Sequence, residues 1–164
     1  MKISTVFATL GGIGYLKPAS GTWGSLAALP LAWALHVAGG PMLLLLACFA
    51  VFLAGVVATE SHTARTGDHD PSEVVIDEVV GLWIAFLPVS FGAAHVGASL
   101  TALYPGWIMA FLAFRLFDIW KPGPVGWADR RSDAFGVMLD DVIAGVMAAV
   151  VVIVTAAFSH LVLM

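Results

Sequence analysis

Charge is what this chain lacks. Asp, Glu, Lys and Arg make up only 11% of its 164 residues, against about a quarter in a typical soluble domain. None lies in Leu26–Thr59, Val79–Phe114 or Val142–Met164. With 60% hydrophobic residues and a mean hydropathy of +0.98, a globule this small cannot hide its apolar surface from water. Cysteine is nearly absent too: the single Cys48 excludes a disulfide framework and a CxxC metal site. There is no G-x-x-x-x-G-K-[ST] phosphate loop and no G-x-S-x-G elbow. Neither His62 nor His69 stands with a Ser and an orienting third group in a triad pattern. A cleavable signal peptide fits poorly, because the apolar stretch after Lys2 is broken by Gly11, Gly12 and Gly14 and ends at Lys17.

What remains is a membrane protein with its charge on one side. The first two apolar runs would each be about 50 Å long as straight helices, whereas the hydrocarbon core is about 30 Å thick. Each is therefore expected to cross and return. The first hairpin would run over about 26–38 and 42–59, turning at Gly39-Gly40-Pro41. A helix starting near Pro71-Ser72-Glu73 leads into the third span, the turn back lies within His95–Pro105, and Pro122 and Pro124 stop the fourth span. Residues 125–136 form an interfacial segment, and a last span begins at Asp140-Asp141. The expected fold is an all-α membrane helix bundle of four to five spans, one domain over residues 1–164. All seven Lys and Arg lie on one face, which the positive-inside rule assigns to the cytoplasm.

Eleven acids share that face. Asp77-Glu78 and Asp140-Asp141 each open a span, and each is followed a turn later by a glycine, Gly81 and Gly145. Adjacent helical residues point about 100° apart, so one acid of each pair is expected to face the bundle axis. The glycines would let the helices approach until the axial acids share an ion. Acids at helix N-termini, where the macrodipole favours them, account equally well for either pair alone. Two pairs, with Asp118 ending another span on the same side, favour a divalent metal held by Asp77, Glu78, Asp140 and Asp141. Ligands that are all oxygen suit Mg2+. Arg115, Lys121 and Arg130 are candidate phosphate ligands, although Arg115 and Lys121 also suit helix ends where long side chains snorkel. Ser20-Gly21-Thr22-Trp23-Gly24-Ser25 offers hydroxyls, Thr22 and Ser25 among them, and backbone N–H groups at a helix start for an anion.

In order, Gly21-Thr22-x-Gly24-Ser25-Leu-Ala-Ala-Leu-Pro30, His69-Asp70, Asp77-Glu78-x-x-Gly81-x-Trp83, Phe114-Arg115-x-x-Asp118-x-Trp120-Lys121-Pro122-x-Pro124, Asp129-Arg130 and Gly136-x-Met138-x-Asp140-Asp141-x-x-Ala144-Gly145 resemble the phosphatidylglycerophosphatase A family. The likeness runs from about residue 7 to 150. Family members often carry Pro where this chain has Ser20, and Trp where it has Gly123. The resemblance implies a multi-pass protein of the bacterial inner membrane. It also implies Mg2+-dependent hydrolysis of phosphatidylglycerophosphate to phosphatidylglycerol and inorganic phosphate. On that reading Asp118 or Asp129 either orients a water or attacks phosphorus directly. A headgroup transferase is the rival enzyme, but its D-G-x-x-A-R signature is missing. A transporter or channel would place acids deep within spans rather than at their ends.

Overall fold

The computed structural model describes residues 2–68 and 71–163, and their only regular structure is helical. The chain opens with α1 (Ile3–Ala8) and a 3-10 helix (Leu10–Tyr15). The principal helices are α2 (Ser20–Thr66), α3 (Ile76–Val96), α4 (Tyr104–Trp120) and α6 (Ala134–Leu163), with the short α5 (Pro124–Asp129) before the last.

A straight helix of 47 residues would be about 70 Å long. Helical geometry is lost at Gly39 and Gly40 instead; Gly40, at φ 69°, ψ −167°, adopts a conformation open essentially to glycine alone. Pro41 then restarts the helix without needing an N–H partner. The neighbours show that the chain reverses there. In the first limb Ala28 accepts a hydrogen bond from the Trp83 indole at 2.9 Å and His36 meets Ser90 at 2.7 Å. In the second limb Gly55 abuts Ile76 and Met138, and His62 reaches Glu73 at 3.1 Å. The first limb thus runs alongside α3, and the second comes back.

α2, α3, α6 and the α4 segment from Leu100 are long and apolar enough to cross a membrane, and α2 is itself folded into two limbs at Gly39 and Gly40. Fifty-six per cent of α3's most apolar stretch is buried, against 22–28% for the others. It is the central post, and its neighbours keep an outer face for lipid. Those faces are stripes at helical spacing: Leu46, Phe49, Leu53 and Val57 on α2, Ile108, Leu112, Leu116 and Ile119 on α4, and Val146, Val150, Ile153 and Val154 on α6. Between helices, apolar surface provides no drive in lipid, so close packing of small residues replaces it. α3 and α6 touch backbone to backbone: a Cβ on Gly145 would lie 2.3 Å from the Gly81 carbonyl oxygen, and one on Gly81 would lie 2.6 Å from that of Asp141.

Three helix starts differ from the sequence expectation. The first limb starts at Ser20, six residues early, because Gly21 and Gly24 pack against Glu78 and Val75 where no Cβ fits. α3 starts late, at Ile76, because the preceding residues are held elsewhere: Glu73 pairs with His62, and the Val75 N–H donates to the Ala8 carbonyl at 2.9 Å. α6 starts at Ala134, one residue after Asp133, whose carboxylate accepts from the Gly136 N–H at 3.0 Å as an N-cap.

Candidate active site

The crossing at Gly81 and Gly145 lies one turn beyond each acid pair, and so it brings the pairs together. Asp77, Glu78 and Asp141 each offer a carboxylate oxygen within 4.8 Å of the other two. Asp77 and Asp141 are buried, at 8% and 3% exposed. Each pair folds back on its own helix: Asp77 Oδ1 accepts from the Glu78 N–H at 3.0 Å, and Asp140 Oδ1 accepts from the Asp141 N–H at 2.9 Å. On α3 both acids therefore join the cluster, contrary to the one-in, one-out expectation. On α6 the pair divides, with Asp140 Oδ2 accepting from Lys121 Nζ at 3.0 Å.

Lys121 stands just past the end of α4 in a left-handed conformation, φ 50°, which turns its side chain toward α6. It also pairs with Asp129 at the end of α5. Burial works against its charge, but the bonds to Asp129 and Asp140 outweigh burial and raise its pKa above the ordinary lysine value. One turn back on α4, Arg115 pairs with Asp118, both side chains 14% exposed. The first turn of α2 closes over this group: a Cβ on Gly21 would lie 2.2 Å from Glu78 Oε1 and 3.0 Å from Arg115 Nη1.

These groups enclose a cavity of about 410 Å³ at the charged end of the bundle. Asp77, Glu78 and Asp141 line it, with Asp118, Asp129 and Asp140 alongside. Its cations are Lys121, Arg130 and Arg131. Six carboxylates thus face three basic groups, an excess of negative charge that a bound cation or bound protons would offset. Glu78 Oε2 is buried without a hydrogen-bond partner, a costly state that a cation would relieve. The trio can hold a metal ion, and its oxygen-only ligands suit a hard one.

Of the residues singled out from the sequence, Asp118, Lys121, Asp129, Arg130 and all four paired acids line the cavity, and Arg115 stands behind Asp118. Thr22 and Ser25 do not. The Ser25 hydroxyl is buried and donates to the Gly21 carbonyl at 2.8 Å, because the segment expected to be an anion loop is already helix. His69 and Asp70 lie outside the described residues. Ser72, Arg131 and Ser132 line the cavity unforeseen, and of the Gly-rich stretch only Ser20 lines it. Ser20 was legible as the head of the Gly-rich stretch, and its hydroxyl donates to the Ser72 carbonyl at 2.5 Å. Arg131 reads in sequence as one more surface charge; it pairs with Asp133 through two bonds, 3.0 and 2.7 Å. That fork holds the Asp133 carboxyl below its ordinary pKa.

Comparison with known proteins converges on one family. Its model, phosphatidylglycerophosphatase A, matches residues 6–156. A phosphatidylglycerophosphatase A from Haemophilus influenzae is 38% identical over 143 residues, 86% of this chain and 81% of its own. The Escherichia coli protein of that name is 33% identical over 138 residues, 79% of this chain and 69% of its own. A Bacteroides thetaiotaomicron protein with a provisional phosphatidylinositol-3-phosphatase name is 39% identical over 101 residues, 62% of this chain and 58% of its own. No solved structure matches. The matched residues include every acid and cation of the cavity, and the chain belongs to the phosphatidylglycerophosphatase A family of phosphatases.

Proposed function

We propose that the protein hydrolyses phosphatidylglycerophosphate to phosphatidylglycerol and inorganic phosphate, with Mg2+, at the cytoplasmic edge of a bacterial inner membrane. The observation that carries this reading is the buried Asp77, Glu78 and Asp141 trio sharing one cavity with Lys121 and Arg130. Mg2+ fits the trio because its donors are all oxygens and one of them, Glu78 Oε2, lacks any other partner. When bound, the ion supplies charge neutralisation and Lewis acidity at a phosphoryl oxygen.

The chain's own groups do the rest. Arg130 is exposed at the cavity and makes no ion pair among the described residues, so its guanidinium is available to the incoming phosphate. Lys121 keeps its charge and is anchored on both sides, a fixed donor for charge that grows in the transition state. On this proposal Asp118, paired with Arg115, and Asp129, paired with Lys121, are the two carboxylates that take a proton from water or attack phosphorus. Attack by water forms the new P–O bond as the lipid alkoxide leaves with a proton. Attack by carboxylate first gives an aspartyl phosphate, which water then cleaves. Acid quench of a single turnover with substrate labelled at its terminal phosphate separates the two: hydroxylamine-labile phosphate on the protein during turnover indicates the covalent route, and its absence throughout indicates direct attack by water.

The cytoplasmic assignment is supported by the gathering of every described Lys and Arg at one end of the bundle. The substrate assignment is tested by phosphate release from a panel of lipids in mixed micelles. Phosphatidylglycerophosphate should turn over at least about tenfold faster, by kcat/KM, than phosphatidylinositol 3-phosphate or phosphatidic acid. Preference for either of the others would overturn it.

A further inference from the structure

Beside the cavity lies a second hollow of about 470 Å³, between the returning limb of α2 and the start of α6. Ser132 lines both spaces. Val56, Ala64 and Phe135 give the second one apolar walls, and Glu60 and Asp133 also face it. Phe135 is set edge-on against Phe52, with ring centroids 5.8 Å apart. The Arg131 guanidinium stands over the Phe135 ring at 5.5 Å while Asp133 grips it from the side. Arg131 therefore stands at the joint: it lines the first cavity, and the two residues that fix it line the second. The lipid-facing Leu53 and Val57 are on the same limb of α2.

We propose that the second hollow receives the glycerol backbone and first acyl methylenes of the lipid whose terminal phosphate occupies the first cavity, and that Arg131 binds the phosphodiester between them. This rests on the phosphatase reading. A phospholipid with a terminal phosphomonoester carries two phosphates, and its tails must leave a polar cavity for the bilayer. Glu60 and Asp133 repel a phosphate from the second hollow, whereas its apolar walls accept ester and hydrocarbon. Asp133 occupies two of the five guanidinium donors of Arg131, leaving the others for a diester oxygen. Ser132 lines both spaces, so on this proposal the lipid passes it on the way from the aqueous edge to the bilayer. The competing exit is the exposed apolar side of Ile119, Trp120 and Trp127.

The test uses the intact protein and a phosphatidylglycerophosphate bearing a diazirine near the ester end of one acyl chain. Irradiation should label residues 56–67 and 132–135, and excess unlabelled substrate should suppress the labelling. Adducts concentrated on residues 116–127, or spread evenly along the lipid-facing stripes, would overturn the path. Phosphate release from the same probe is measured in parallel, so failure of the phosphatase reading shows separately as an unhydrolysed probe. Arg131→Gln should raise KM at least about fivefold with kcat unchanged, and Arg131→Lys should recover part of that loss. An unchanged KM, or equal losses in kcat and KM-independent folding signals, would remove Arg131 from the role.

Discussion

Gly145→Ala separates the site's geometry from the protein's stability. The added methyl would sit 2.3 Å from the Gly81 carbonyl oxygen and 3.0 Å from that residue's carbonyl carbon and Cα. Unstrained contact needs about 3.5 Å, so the two helices must part by roughly 1 Å. Both sides of the clash are backbone, and no rotamer change relieves it. Overpacking of this kind costs about 1–3 kcal/mol, and replacing a helical glycine by alanine returns up to about 1 kcal/mol. The variant should therefore fold, with a modest fall in Tm. Its site should suffer far more. Asp141 lies one turn before Gly145, and Asp77 and Glu78 lie just before Gly81, so parting the crossing spreads the trio. A misplacement of about 1 Å costs on the order of 100-fold in rate. Phosphate release and thermal unfolding of the same detergent preparation measure the two effects. Gly92→Ala is the control, because a Cβ there meets nothing within 4 Å; it should leave the rate unchanged. Wild-type turnover by Gly145→Ala, or an equal loss in Gly92→Ala, would show that the Gly81–Gly145 crossing does not set the geometry of the trio.

Three further outcomes follow from particular contacts. Asp141→Asn removes a member of the trio and should cut turnover at least about 100-fold while raising the Mg2+ needed for half-activity; Asp140→Asn frees Lys121 and should slow turnover with Mg2+ demand unchanged. Comparable shifts in Mg2+ demand would put both acids on the metal. Ser25→Ala should stay within about twofold of wild type, since its hydroxyl is spent on its own helix, whereas Ser20→Ala at the cavity should raise KM severalfold, by about three; the reverse order would restore Ser25 to the site. For Lys121 the folded pKa lies above the ordinary 10.5, so its ion pairs stabilise fully below that value and fade only as pH rises through the higher folded one. The Tm gap between wild type and Lys121→Met should hold from about pH 7 to about pH 10. A gap that closes by about pH 9 contradicts the paired arrangement.

The reversal at Gly39-Gly40-Pro41 was legible because length and turn chemistry agree: too many apolar residues for one crossing, with a breaker midway. The acid pairs and their glycines were legible because the one-turn spacing repeats on two helices. What escaped was set by tertiary partners. Gly21 and Gly24 look like loop residues on propensity, yet they lie within α2 because Glu78 and Val75 leave no room for side chains. The division of Asp140 from Asp141 depends on Lys121 being turned by a left-handed backbone, which no local pattern reveals. Arg131 gains its place only when Phe135 and Asp133 are seen to fix it.

Metal-dependent hydrolysis at the trio is tested most directly by phosphate release from phosphatidylglycerophosphate by the purified protein as Mg2+ is added and then removed with EDTA. Release should rise with Mg2+, stop with EDTA and return on adding Mg2+ again, and it should be absent at every Mg2+ concentration in a folded Asp77→Ala protein. Release that persists in EDTA, or that survives Asp77→Ala, would contradict a metal-dependent phosphatase centred on the Asp77, Glu78 and Asp141 trio.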